Sequence, residues 1–600
     1  MPSYQAPTRD MQFVLNELLD ISNLTHLAGF ENVSPDLAET MIVEAGKFTS
    51  EVIAPLNQSG DRQGVTRHPD GRVTLPDGFK EAYDALCEAG WSTIVQPQRY
   101  GGQGLPHALG MAVDEFLSGA NQAFAMLPGL TVGAAAAIKA TGSDELKDLF
   151  LPRLVSGQWS GTMNLTEPQC GTDLGLIRTK AEPIADGSYS ITGTKIFISG
   201  GEHDATENIV HLVLAKTPDA PAGTKGISLF VVPKIKVDQD GNLGEPNAVS
   251  CGSVEEKMGI HASPTCVMNY DGATGWMVGE ENKGLAAMFI MMNSARLHVG
   301  VQGLGQAEAA FQNAVAYARE RRQGRALTGP AEPDQPADLI IVHPDVRRML
   351  MDAKCYTEGM RALAVWTALQ IDITERAPDE KDREAAQDLI ELLTPVIKGY
   401  GTDRGYEVAT DMQQVLGGHG YIVEWGMEQF VRDARITMIY EGANGVQAMD
   451  LCGRKLGQHG GRAIRSFFAL VDAECDGTDD EAAVGAIAAA LKRANGDLKT
   501  ATMWFMRNAM TNPNNLGAGA YHYMTMMGLV SLGLMWLRIA KVATAKIASG
   551  EGDRAFYEAK LTTARYFAQR SLLDAGALRR KIEAGSEAMM AIPEDRFTYS

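Results

Sequence analysis

The residues best suited to acid–base chemistry converge on Ile439-Tyr440-Glu441-Gly442-Ala443-Asn444. This carboxylate has an aromatic neighbour on one side and no side chain on the other. Burial raises a carboxyl pKa toward neutrality, and Gly442 leaves room for a substrate, so Glu441 suits a general base. Most glutamates are solvated surface residues, so its neighbours decide the matter. About twenty residues upstream lies Gln414-Val-Leu-Gly417-Gly418-His419-Gly420-Tyr421, followed by Glu424 and Arg432-Asp433. Three glycines in four residues let a backbone come close to a ligand, although a glycine-rich turn alone reads equally as a loop.

Four further constellations carry donors. Asn164-Leu165-Thr166-Glu167-Pro168-Gln169-Cys170-Gly171-Thr172-Asp173 offers two hydroxyls and successive N–H groups in a turn, able to hold carbonyl and phosphate oxygens or simply to cap a helix. Phe197-Ile198-Ser199 reads as strand, and alternation sends Phe197 and Ser199 to one face, where a ring could cover a flat ligand and a hydroxyl reach its edge. Asn293-Ser294-Ala295-Arg296 places a lone arginine in an apolar helical pattern, which needs a partner there. In Arg319-Glu320-Arg321-Arg322-Gln323-Gly324 the arginines suit a pyrophosphate, or the negative end of a helix.

The elements that must position these groups follow from periodicity. Helical spacing holds to about Gln158, interrupted at Tyr100–Gly104. Short β-branched runs follow at Tyr189–Ser199, Ile209–Ala215 and Gly226–Val232. Helices return from Leu285, with a Pro/Gly/Asp-rich loop over Gly324–Pro336 and a restart at His343-Pro344-Asp345. Gly457–Gly461 reads as a hinge before a last helical segment. The order gives a multidomain α+β protein: an N-terminal helical domain (1–160), a middle β domain (161–284), a helical bundle (285–456) and an extra C-terminal helical domain (457–600). The 600 residues exceed what one core organises.

The formal charge of −20 argues against a primary role on nucleic acid or anionic membranes. The segment after Gly457 carries 17 Lys+Arg against 15 Asp+Glu, close to balance. Seven scattered cysteines without Cys-x-x-Cys or zinc-type spacing imply a reducing compartment and no metal. The N-terminus lacks a signal-peptide pattern, and Met524–Leu537 is shorter than the roughly 20 residues of a bilayer span, so a cytoplasmic protein without a membrane partner is expected. The methionine-rich stretch from Met503 to Leu537 is expected to pack within protein, with Trp504 and Trp536 shielded.

The Thr166–Asp173 segment, the glycine-rich Gln414–Tyr421 segment and Ile-Tyr-Glu-Gly resemble the signatures of the acyl-CoA dehydrogenase family, from about Ala45 to Leu456. The resemblance implies the family fold, with a barrel-like middle domain, and an FAD cofactor contacted by Leu165, Thr166, Thr172, Phe197 and Ser199. Arg321, Gln323, Gln414 and Gly418 would contact FAD bound mainly by a neighbouring subunit, so a homo-oligomer, a dimer, is expected. Thr172, Arg296, Tyr440 and Gly442 would serve the acyl-CoA substrate, and Glu441 would be the catalytic base. Asn164 stands where the family usually has a small residue.

The implied reaction is α,β-dehydrogenation of an acyl-CoA to the trans-2-enoyl-CoA, with electrons passing to an electron-transferring flavoprotein. Tyr4-Gln-Ala-Pro7-x-x-Asp10-Met-Gln-Phe13, Asn444-Gly445-Val446-Gln447 and the long C-terminal segment resemble a bacterial branch acting on short 3-(methylthio)propanoyl-CoA in dimethylsulfoniopropionate catabolism. A medium- or long-chain dehydrogenase and an acyl-CoA oxidase are the alternative readings. A DNA-binding relative is disfavoured by the balanced C-terminal charge.

Overall fold

A computed structural model describes residues 2–478 and 482–598. It divides into two compact units, residues 44–298 and residues 1–43 with 299–600.

In the first unit, the helices that lead directly into the sheet are α1 (His107–Ala120), α2 (Gln122–Thr141) and α3 (Asp144–Val155). The side chains of Asn121 and Ser143 cap α2 and α3 by accepting from the N–H groups of Phe124 and Leu146. The strands of the main sheet are β1 (Trp159–Asn164), β2 (Lys180–Pro183), β3 (Tyr189–Ser199), β4 (Asn208–Ala215), β5 (Ser228–Pro233), β6 (Val249–Val254) and β7 (Thr265–Met277). They form one sheet in the order β1-β4-β5-β7-β3-β2, with β6 also on β7. Only the β1–β4 pair is parallel.

Every residue of β4 and β5 is buried, because the sheet has a core on each face. Val210, Leu212 and Leu229 meet Phe150 and Trp159 on one side. Val213, Phe230 and Val232 meet Ile191, Met268 and Tyr270 on the other. The buried Asn164 is accommodated by a polar chain within this unit. Tyr270 Oη donates to Asn164 Oδ1 at 2.8 Å, and Asn164 Nδ2 donates to Thr162 Oγ1 at 2.8 Å. Thr162 Oγ1 lies 2.7 Å from Nδ1 of His211, whose pKa burial pushes down to about 3, keeping it neutral.

Helix α4 (Gly284–Ala318) continues the chain into the second unit, joined there by α5 (Pro344–Arg376), α6 (Glu380–Val415), α7 (Met427–Thr437) and α8 (Asn444–Asp450). The extra C-terminal segment supplies α9 (Arg462–Cys475), α10 (Ala482–Asn508), α11 (Asn514–Ser549), α12 (Arg554–Gln569) and α13 (Asp574–Glu583). Helices α4 and α6 cross closely because glycine lines the contact: a Cβ on Gly300 would stand 2.5 Å from Ile397 Cγ2.

Helix α11 is long and apolar enough to cross a membrane by length and composition, but 83% of its most apolar window is buried inside the protein. Trp536 is fully buried and donates to the Cys355 carbonyl at 3.0 Å. The expectation for the preceding helix needs correction. Met503 and Met506 on α10 and Met510 just beyond its end are exposed, and Trp504 is only half-buried.

The N-terminal turn at Thr8–Gln12 continues as a π-helix over Phe13–Leu18. Its Asp10 carboxylate takes ion pairs from both Arg361 of α5 and Lys560 of α12. The Gly324–Pro336 loop is more ordered than its composition suggests. The fully buried Asp338 accepts from the N–H groups of Ala326, Ala331 and Glu332 and pairs with Arg325 at 3.2 Å.

Candidate active site

Within the first unit, the turn after β1 is closed by two backbone hydrogen bonds between Glu167 and Cys170. Glu167 itself is structural. It pairs with the buried Lys195 at 2.9 Å and accepts from Thr179 Oγ1 at 2.6 Å. Burial alone would raise its carboxyl, but Lys195 and these donors outweigh that and bring it to about 2. Lys195 Nζ also donates to the Leu165 carbonyl at 3.0 Å, and Ile196 N–H donates to the Thr166 carbonyl at 2.9 Å. The Leu165–Thr166 segment is therefore fixed along β3. Thr166 is half-buried and Thr172 is exposed.

Simple alternation does not hold around Phe197. Lys195 pairs with Met268 but Ile198 with Cys266, so β3 carries one extra residue there. Phe197 is that bulge, with φ of 61° and 59% of its surface exposed. Ser199 beyond it is half-buried, while Ile198 turns into the core. An aromatic ring held in left-handed backbone and uncovered by its own chain costs stability, the pattern of a site residue. A bare ring on the strand that carries Ser199 and bonds the Thr166 carbonyl fits the planar ring of FAD. Arg296 is buried, directed to Asn293 Oδ1 at 3.5 Å and 5.9 Å from the Phe289 ring centroid.

Within the second unit, Glu441 follows α7 in a tight turn, with φ of 56° at Glu441 and 84° at Gly442. The turn is closed by Asn444 N–H donating to the Met438 carbonyl at 3.1 Å. Gln447, fully buried on α8, holds the turn from inside through Nε2, 3.1 Å from the Gly442 carbonyl and 3.4 Å from that of Glu441. Tyr440 Oη donates to Gln302 Oε1 of α4 at 2.5 Å, fixing the aromatic neighbour. Glu441 is half-buried, with its Oε2 shielded from solvent.

Asn444 anchors the same turn to α6. Its two amide hydrogens are shared among the Gly399 carbonyl at 3.0 Å, Thr402 Oγ1 at 2.9 Å and Asp403 Oδ1 at 2.8 Å. Its Oδ1 accepts from the buried Lys398 Nζ at 2.9 Å. Gln302, Lys398 and Asp403 carry no local signal in the sequence, and Gln447 figures there only within the Asn444–Gln447 run, with no role of its own. Gln447 lies six positions after Glu441 and three after Asn444, which puts it near one helical face with Asn444.

Arg321, Gln323, Gln414 and Gly418 lie on the surface of this unit. Ile340 N–H donates to the Arg321 carbonyl and Gln323 N–H to that of Asp338, so a backbone bridge sets both positions. Among the described residues, flanking neighbours aside, nothing stands within 4 Å of where a Cβ on Gly417 or Gly418 would be. His419 stacks on Trp425 at 4.6 Å and bonds Tyr317 Oη at 2.9 Å, holding the glycine turn open. An open backbone beside exposed Gln414 fits the approach of a ligand.

Comparison with known proteins agrees with this arrangement. Family models match for "Acyl-CoA dehydrogenase, N-terminal domain" over residues 37–158, "middle domain" over 162–273 and "C-terminal domain" over 282–456. A fourth, "Acetyl-CoA dehydrogenase C-terminal like", covers 467–593. The chain is 45% identical to 3-methylmercaptopropionyl-CoA dehydrogenase of Ruegeria pomeroyi, over 98% of this chain and 99% of the relative. It is 35% identical to a broad-specificity linear acyl-CoA dehydrogenase of Mycobacterium tuberculosis, over the whole of both chains. A Bacillus anthracis acyl-CoA dehydrogenase complexed with FAD shares the fold, with a TM-score of 0.71 at 20% identity over 93% of this chain and 90% of that one. With three consecutive domain models matched and relatives aligned end to end, the chain belongs to the acyl-CoA dehydrogenase family.

Proposed function

We propose that this protein is a cytoplasmic FAD-dependent dehydrogenase of 3-(methylthio)propanoyl-CoA, forming the trans-2-enoyl thioester and passing electrons to an electron-transferring flavoprotein. The observation that carries the catalytic reading is Glu441, a carboxylate in left-handed backbone clamped by Gln447 and Asn444. Identity of 45% along the full length of a 3-methylmercaptopropionyl-CoA dehydrogenase supports the acyl group.

Glu441 removes the α-proton of the thioester as general base, and its own backbone N–H is assigned to the thioester carbonyl. A hydrogen bond to that oxygen is strongest once enolate charge develops, so it acidifies the α-carbon. The acceptor for the β-hydride is what bound FAD supplies. Loss of a proton from Cα and a hydride from Cβ leaves the electron pair of the new C=C bond, and the substrate is oxidised by two electrons. Phe197, Thr166 and Ser199 are assigned to the flavin ring, and Leu165 and Thr172 to its neighbouring edge and phosphates. Arg296, Tyr440 and Gly442 are assigned to the acyl-CoA substrate. Arg321, Gln323, Gln414 and Gly418 complete a neighbouring subunit's FAD site in a homodimer.

Anaerobic bleaching of bound flavin by a panel of acyl-CoA thioesters tests this reading. The 3-(methylthio)propanoyl and butyryl thioesters should reduce the wild type fastest. Glu441→Gln should keep its FAD and slow bleaching by ~10²–10⁴. Normal bleaching in that variant moves the base elsewhere, with Glu424 the first to test.

A further inference from the structure

We infer that the extra C-terminal domain is part of the catalytic apparatus, with Tyr521 of α11 acting as a positioning residue for the turn that carries Glu441. The inference rests on Glu441 being the base. The connection is direct and lies within one compact unit. Tyr521 Oη donates to Asp403 Oδ2 at 2.6 Å. The other carboxylate oxygen of Asp403 accepts from Asn444 Nδ2 at 2.8 Å. Asn444 is three residues from Glu441, and its backbone N–H closes the turn on the Met438 carbonyl. Two hydrogen bonds thus separate the added domain from the turn that holds the base.

Three features make this more than a surface contact. Glu441 has φ of 56°, a conformation unfavourable for a non-glycine residue that persists only where surroundings over-determine it. The groups that over-determine it are Gln447 and Asn444, and both are buried. Asn444 in turn depends on its partners. Lys398, a fully buried cation, meets its carbonyl end, and Asp403 meets its amide end, so the amide bridges opposite charges and cannot flip without losing both. Tyr521, itself partly exposed, satisfies the second oxygen of Asp403 and so sets the orientation of that carboxylate. Burial pushes the Asp403 carboxyl up, opposed first by the Tyr521 hydrogen bond. Losing that donor therefore favours a protonated Asp403, whose Oδ1 would be a weaker acceptor for Asn444 Nδ2.

The packing beside this link is tight enough to transmit position. One turn along α11, Met524 lies so close to α6 that a Cβ on Gly399 would stand 2.2 Å from its Sδ. Gly399 is also the residue whose carbonyl accepts from Asn444. A further turn on, Gly528 admits the ring of Tyr400, 2.2 Å from where its own Cβ would be. Helix α11 is therefore seated against the stretch of α6 that holds the catalytic turn. Its phenol is aimed at the one carboxylate of that stretch bonded to Asn444.

The test compares holoenzymes by anaerobic stopped flow, with flavin bleaching by butyryl-CoA followed over a range of thioester concentrations. Tyr521→Phe should slow the limiting bleaching rate about tenfold. FAD content, the thermal midpoint in excess FAD and the half-saturating butyryl-CoA concentration should stay near wild type. Asp403→Asn should slow bleaching at least as much, and adding Tyr521→Phe to it should cost little more, because both act through Asn444. A Tyr521→Phe bleaching rate within twofold of wild type, while Glu441→Gln is inert, would overturn the inference and leave the assigned base intact. A Glu441→Gln enzyme that bleaches normally would instead remove the reading beneath it. Equal losses in rate and thermal midpoint, with additive Tyr521 and Asp403 effects, would also overturn it, since the link would then be only structural.

Discussion

Lys560 and Asp10 stand 550 positions apart and form one ion pair, with the lysine side chain only 2% exposed. Lys560 also bonds Glu358 at 2.9 Å, while Asp10 takes Arg361, which in turn bonds Glu308 at 2.9 Å. The network ties the N-terminal segment and α12 to the bundle helices α4 and α5. Phe13 adds an edge-to-face contact with Phe556 at 5.5 Å.

Removing one member of this network should leave a buried charge uncompensated. Lys560→Met is expected to cost about 3–5 kcal/mol, seen as a lower thermal midpoint in excess FAD. The pH sign follows from Asp10. Burial alone would raise its carboxyl, but Lys560 and Arg361 prevail and hold it well below its ordinary 3.8. Its contribution is therefore complete above about pH 4 and is lost as pH falls further. Asp10→Asn should flatten that acid limb, and an unchanged limb would remove Asp10 as its source.

A second pair titrates in the opposite sense. His298 Nε2 lies 2.8 Å from Asp114 Oδ2, and its Nδ1 donates to the Ser294 carbonyl at 2.6 Å. Burial opposes the charge, but Asp114 prevails and raises the imidazole from 6.5 to about 9. The stabilisation is full below about pH 6.5 and declines as pH rises through about 9. With both side chains partly exposed, about 1–2 kcal/mol is expected after solvent screening. Denaturant titrations of wild type and Asp114→Asn at pH 6 and pH 9.5 should converge at the higher pH.

Assembly and cofactor retention should be linked if exposed Arg321 serves a neighbouring subunit's FAD. Arg321→Ala should lose FAD on dilution several-fold faster than wild type, while its thermal midpoint in excess FAD stays within about a degree. Surface substitutions away from special contacts usually change stability by no more than ±0.5 kcal/mol. A stable monomer with full FAD occupancy would refute the shared site.

Truncation after Gly460 should yield an aggregating core, because it strips α11 and α12 from α5 and α6. Trp536 and Tyr400 pack across that seam. In the full chain, acrylamide should quench Trp504 and spare Trp536, a difference that single-tryptophan replacements can read. A soluble, active truncated enzyme would contradict both this prediction and the role assigned to Tyr521.

The chemistry of this protein is written locally, and its control is not. Ile439–Asn444, the Thr166–Asp173 turn and the three strand runs are legible because a flanked carboxylate, a turn and a short β-branched strand each show their pattern within a few residues. Strand Tyr189–Ser199 even has the bounds its residues suggest. What alternation missed at Phe197 is a bulge, set by pairing with β7 on a strand nearly seventy residues away. Asn444 likewise reads as an ordinary helix start until Lys398, Asp403 and Tyr521 are brought to it. A charged or amide group declares in the sequence only that it needs a partner when buried. Which partner it receives depends on how distant helices cross, and that only the packed tertiary structure decides.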